Sequence, residues 1–175
     1  MSLAPLKSFN FFLPLLITPI TNLAAIQHLH LLSQLYKQVI IPQVVYRELA
    51  DIDPPVPGTL EIQAACWVEV KQITNRSVVE RLKEQVSLEP GESEAIALAL
   101  ELNADLLLID ERRGRAEANR LGLRITGLLG ILVEAKRQNL VAAVKPLMDA
   151  LIATSEFRVS SALYQQILEM VNEAR

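Results

Sequence analysis

The chain has 175 residues, 51% of them apolar, 21% charged and 5% aromatic, with a net charge of −3. That length favours one domain with a real core, and the composition calls for an aliphatic, Ala-rich interior. A single cysteine, Cys66, excludes an internal disulfide and a cysteine zinc cluster, and the net charge excludes global attraction to polyanions. A lone thiol fits a reducing, cytoplasmic setting, and beside Trp67 in an apolar run Cys66 reads as a small buried hydrophobe.

The apolar run over 11–17 is too short to cross a bilayer, which takes about 20 residues. A secretory signal core is one reading of it. The reading carried forward is a buried first strand with a defect at Pro14, where a ladder hydrogen bond would be lost. Leu23, Ile26, Leu29, Leu32 and Leu35 then recur at helical spacing, predicting one helix over 22–36 capped by Thr21 or Asn22. His28 and His30 fall on different sides of that helix and read as structural.

Val39, Ile40 and Ile41 predict a buried strand, and Pro42 opens a helix over 43–50. Three prolines and a glycine make 51–58 a loop. One helical turn over 61–65 and a half-exposed strand over 67–73 follow. Ser77 and Glu80 form a capping-box pattern ahead of a helix running to Val86. Pro90 and Gly91 break the chain before a helix over 92–102.

Leu106 to Ile109 is continuously apolar, hence a strand buried on both faces. A helix over 112–121 is closed by Gly122, and a short strand over 123–125 leads to an apolar helix over 128–138. Two terminal helices are predicted over 145–153 and 162–174. Short buried strands alternating with helices predict an α/β fold with a parallel sheet, whose ligand edge lies beyond the strand C-termini.

Five acids are candidates for that edge: Glu48, Glu92, Glu94, Asp110 and Glu111. Glu92 and Glu94 lie about 200° apart on a helix, so only one can face a given cleft. Each also has a bland role open to it, as a first-turn acid, a helix cap or a solvated helix face. Clustered carboxylates are costly unless a cation neutralises them. Mg²⁺ or Mn²⁺ does so, and phosphodiester hydrolysis is the natural chemistry. Arg112, Arg113, Arg115 and Arg120 follow directly and can contact phosphates or pair with Glu111 and Glu117. The segment 127–130 lacks the lysine of a phosphate-binding loop.

Four stretches together resemble a PIN domain, and within that family the small prokaryotic PIN-like group. They are Thr18-Pro19-Ile20-Thr21-Asn22-Leu23-Ala24, Val39-Ile40-Ile41-Pro42 with Glu48-Leu49, the nine residues from Gly91 to Ala99, and those from Leu107 to Arg115. The resemblance implies a three-layer α/β/α sandwich around a central parallel sheet. It spans the chain from Thr18 onward, as one unit over 1–175, with 1–17 divergent and 144–175 as C-terminal helices. It further implies a ribonuclease dependent on Mg²⁺ or Mn²⁺, of the class that includes toxins of VapBC-type toxin–antitoxin pairs.

Carried over by position, Glu48, Glu92 and Asp110 match the family's second, third and fourth acids. Glu111 stands as a further ligand and Glu94 as a substitute for Glu92. Thr18 matches a hydroxyl residue beside the first acid, and with Arg112 and Arg113 it would contact nucleic acid. The implied partners are RNA or DNA, an antitoxin protein and a second copy of the chain, with no membrane. The family's first acid falls at Leu16, which leaves open an altered N-terminal segment or a member lacking that ligand. The expectations are a metal-dependent ribonuclease of impaired activity or a non-catalytic PIN-like binding module. A receiver-like or phosphatase-like domain is disfavoured, because no Asp ends the first strand.

Overall fold

The computed structural model describes residues 12–14 (backbone only), 17–36, 38–155 and 157–174. Three strands form one parallel set, β1 (Phe12–Pro14), β2 (Gln38–Pro42) and β3 (Val68–Lys71), in the order β1-β2-β3. Leu13 pairs with Val39, and Ile41 with Val70. A second parallel pair joins β4 (Leu107–Leu108) to β5 (Ile125–Thr126), with Leu107 donating to Arg124 at 2.9 Å and Ile109 to Thr126 at 3.0 Å. β4 lies against β1, with no ladder between them among the described residues.

Ten helices are described: α1 (Ile17–Ala25), α2 (Leu31–Leu35), α3 (Gln43–Ala50), α4 (Thr59–Ala64), α5 (Arg76–Val86), α6 (Pro90–Glu101), α7 (Arg112–Arg120), α8 (Leu128–Arg137), α9 (Lys145–Thr154) and α10 (Ser161–Met170). None is long and apolar enough to cross a membrane. β2 shows how the sheet is covered. Val39 and Ile41 enter the larger core, while Ile40 joins Val79 of α5 with Ala97 and Leu98 of α6 in a smaller one. Both faces of this strand are therefore dry, as its unbroken apolar run requires.

Helix α6 packs against β1, β2, β4, α3, α5 and α7. Ala95, Ala97 and Ala99 are all buried there, and side chains that small let the backbone of α6 approach its neighbours closely.

Several elements differ from the sequence expectation. The helix expected over 22–36 is two helices, and it begins at Ile17, so neither Thr21 nor Asn22 is its cap. Gln27 (φ 59°) breaks it: Gln27 N–H donates to Ala24 at 2.8 Å and His28 N–H to Leu23 at 2.7 Å, a Schellman closure. The same pair of bonds closes α6 at Asn103, α7 at Gly122, α8 at Asn139 and α10 at Asn172. His28 and His30 consequently sit in the link before α2, their rings 5.6 Å apart and tilted by 34°, rather than on opposite helix sides.

Asn75, not Ser77, caps α5; its side chain accepts the Ser77 N–H at 3.1 Å. Pro90 does not break the chain but opens α6 at its first position, where a missing N–H costs nothing. Cys66 is exposed, because it occupies the turn between α4 and β3 rather than an apolar strand. Leu16 lies outside the described residues.

Candidate active site

The C-terminal ends of the strands deliver the acids. β2 runs directly into α3, which carries Glu48, and β4 runs into the turn bearing Asp110 and Glu111 ahead of α7. The start of α6 faces the same region. A cavity of about 290 Å³ opens there, lined by Thr18 of α1, Val45 and Glu48 of α3, Glu89, Gly91 and Glu92 at the start of α6, and Glu111. Of the residues expected from sequence, it gathers Thr18, Glu48, Glu92 and Glu111, and Thr18 sits in the first turn of α1.

Glu92 is the acid most committed to this cavity. It is 7% exposed. Its Oε2 accepts the Glu89 N–H at 3.2 Å, while its Oε1 is buried with no hydrogen-bond partner among the described residues. Burial pushes its carboxyl above the ordinary value. The Glu89 N–H pulls it back, Glu111 and Glu89 add repulsion, and Arg113 offsets part of that. Glu48 is likewise raised, by partial desolvation first and then by Glu94 and Glu89. Glu89 and Glu111 thus stand close enough to Glu92, and Glu89 and Glu94 close enough to Glu48, to repel it.

Asp110 stands apart from the cavity lining. Both of its carboxylate oxygens accept the Leu128 N–H, at 3.0 and 3.2 Å, so it caps α8 rather than the helix that follows it. Burial raises its carboxyl, against the pull of Leu128 and Arg115, and Glu111 raises it further. Arg115 donates to the Ile109 carbonyl at 2.8 Å, which fastens the turn beneath Asp110 and leaves Arg115 out of any phosphate-facing row. Arg120 pairs with Glu117 through two bonds of 2.7 and 2.6 Å. Arg112 and Arg113 are exposed, and among the described residues neither forms an ion pair.

Glu92 and Glu94 divide as helical spacing requires: Glu92 faces the acid cavity, and Glu94 lines a neighbouring one with Arg47 and Arg76. Glycines decide how closely the acids approach. A Cβ on Gly114 would lie 2.6 Å from Glu92 Oε1, and one on Gly127 would lie 2.4 Å from Asp110 Oδ1. Sequence reasoning missed both glycines, since each makes room for an acid distant in sequence. It also missed Glu89, although Pro90 at the first helical position and Glu92 three residues beyond Glu89 mark that residue as a cap.

Among the described residues, no three Asp, Glu, His or Cys side chains are arranged to hold a metal ion together. Of the four expected ligands, Glu48, Glu92 and Glu111 line one cavity, and Asp110 accepts the Leu128 N–H at the start of α8. The donor chemistry nonetheless fits a hard divalent cation. All the groups are carboxylate oxygens, one of them orphaned and buried, and Mg²⁺ is commonly held by one or two carboxylates, waters and substrate phosphate.

A family model described as a PIN domain matches residues 17–173. Comparison with curated proteins and with solved structures gave no match. The parallel α/β elements, the acids at the strand ends and this match over nearly the whole chain agree: the chain belongs to the PIN-domain family.

Proposed function

We propose that this protein is a ribonuclease of the Mg²⁺- or Mn²⁺-dependent class, with activity limited by Leu16 at the family's first acid position. The observation that carries the reading is Glu92, buried in an acid-lined cavity with one carboxylate oxygen unpartnered among the described residues. A buried, unsatisfied carboxylate among other acids is costly, and such arrangements cluster at functional sites. The fold we assign is one α/β/α sandwich over 1–175, with β3-β2-β1-β4-β5 as its central layer and 144–175 as C-terminal helices. Both dry faces of β2 and the contact of β1 with β4 support it.

In this reading Glu92 and Glu48 hold the cation, and Glu111 supports them at the cavity wall. A bound cation would supply Lewis acidity toward a phosphoryl oxygen and acidify a water. Asp110 keeps the strand end and α8 in fixed register, and its charge adds to the negative field that draws the ion. Thr18 offers a hydroxyl at the cavity rim. Arg112 and Arg113, exposed and outside the ion pairs of the described residues, bind the phosphate backbone of RNA or DNA. An antitoxin protein and a second copy of the chain are the proposed protein partners, in a cytoplasmic toxin–antitoxin setting.

The test is RNA cleavage with and without Mn²⁺, comparing the wild type with Glu92→Gln and Asp110→Asn. Mn²⁺-dependent cleavage that both variants lose supports the assignment; cleavage that survives either one overturns that residue's role. A second reading, a non-catalytic PIN-like module that binds nucleic acid or protein, is favoured by the engagement of both Asp110 oxygens with Leu128. Wild-type binding of RNA with no cleavage in Mn²⁺ selects it.

A further inference from the structure

Beside the acid cavity lies a second one of about 190 Å³, lined by Gln43, Val44 and Arg47 of α3, Gln72, Arg76 and Glu94. The two cavities share walls. α3 sends Arg47 to one and Glu48 to the other, and α6 divides Glu94 and Glu92 in the same way. The second cavity also belongs to the ligand edge of the sheet: Gln43 follows the last residue of β2, and Gln72 follows the last residue of β3.

Its polar groups are unused. Among the described residues, neither guanidinium forms an ion pair and neither glutamine amide has a hydrogen-bond partner; Glu94, in the same lining, pairs with neither arginine. Arg76 is also misplaced for stability. It is the first residue of α5, where the helix dipole disfavours a cation, and the cap there is made by Asn75 without it. Two planar forks and two amides facing one space are donors awaiting an acceptor with several oxygens. The charges of two arginines and one glutamate leave a single positive excess, which matches one phosphodiester.

We propose that Arg47 and Arg76, assisted by Gln43 and Gln72, form a cradle for one phosphodiester of a single-stranded nucleic acid, holding its backbone beside the acid cavity. The cradle gives an acidic chain the local basic patch that any polyanion would need. It rests on the nuclease reading only for its purpose, because binding and cleavage are separable measurements. These arginines are positioning residues, distinct from Arg112 and Arg113 on α7.

The test is fluorescence anisotropy of a fluorescein-labelled uridine oligonucleotide in EDTA, titrated with wild type, Arg47→Gln, Arg76→Gln and Arg47→Lys at several salt concentrations. Thermal melts verify that each variant folds. Each Gln variant should bind about tenfold more weakly. Each should also lower the slope of log affinity against log salt by about 0.7, the value for one lost phosphate contact on a single strand. Arg47→Lys should keep the slope and lose affinity, since it keeps the charge but not the fork.

Unchanged affinity and slope in both Gln variants overturn the cradle, as does a wild type that binds no RNA at low salt. Equal binding of the matching DNA oligonucleotide supports it, because the phosphodiester is common to both. A chain that never cleaves RNA in Mn²⁺ but shows these losses keeps the cradle and sinks the nuclease reading. Mn²⁺-dependent cleavage by folded Gln variants with wild-type KM does the reverse.

Discussion

Asp110 and Leu128 are 18 residues apart, yet the carboxylate of one receives the backbone N–H of the other through both oxygens, at 3.0 and 3.2 Å. That contact locks the exit of β4 to the entry of α8. It places a negative charge where the α8 dipole favours one, and it aligns the Asp110 carboxylate.

Gly127 is what allows the approach. A methyl there would sit 2.4 Å from Asp110 Oδ1 and 3.1 Å from Arg115 Nη1, and one at Gly114 would sit 2.4 Å from Ile109 Cδ1 and 2.6 Å from Glu92 Oε1. Gly127→Ala and Gly114→Ala should each lose about 1–3 kcal/mol of stability by overpacking. Both should bind Mn²⁺ more weakly, Gly114→Ala through displacement of Glu92. Urea unfolding with and without Mn²⁺ measures both effects; a variant with wild-type stability and affinity refutes the packing argument at that glycine.

The raised carboxyl of Glu92 fixes a sign. Folding favours its protonated form, so its contribution to stability is fully present below the unfolded value of about 4.3 and is lost as pH rises through the raised folded value. Glu92→Gln should therefore match the wild type in acid and be more stable near neutrality, by about 1 kcal/mol. Mn²⁺ should raise the wild-type Tm and leave the variant's nearly unmoved. Melting curves across pH read the difference; a variant that is less stable at neutral pH contradicts the sign.

By the resemblance read from the sequence, Leu16 stands where the family carries its first acid, one residue before the matched span. Leu16→Asp should tighten Mn²⁺ binding about tenfold or more and raise cleavage in step, since one carboxylate is added to a ligand-poor set. Calorimetric titration of both forms decides it, and equal affinities refute the assignment of that position.

Gln27 holds a left-handed φ of 59° that asparagine or glycine takes at the equivalent closures of α6, α7, α8 and α10. Gln27→Gly should stabilise the fold by about 0.5–1 kcal/mol, because glycine adopts that conformation without a side-chain penalty. Chemical denaturation tests it, and a loss of stability would show that the Gln27 side chain contributes packing that outweighs the strain.

Much of this architecture was legible in the sequence. The helix over 43–50 and the pairing of short apolar runs with helices carried over directly, because periodicity and proline placement act locally. The division of one long helix at Gln27 was not legible. Apolar spacing continues across the break, and glutamine carries no stop signal of the kind glycine or asparagine gives. For the site, acids at strand ends were readable as types. Their division between a shared cavity and the α8 cap was not, because Asp110 is claimed by a helix start 18 residues away. Arg47 and Arg76 escaped notice for a related reason: only the adjacency of β2 and β3 brings them together.

The exposed turn at Cys66 has a practical consequence. It carries the chain's only thiol, next to its only tryptophan, Trp67, and neither residue lines the acid cavity. A maleimide dye attached there would form a single donor–acceptor pair with the indole, so optical signals could follow the joint between α4 and β3 while the acids and arginines stay unlabelled.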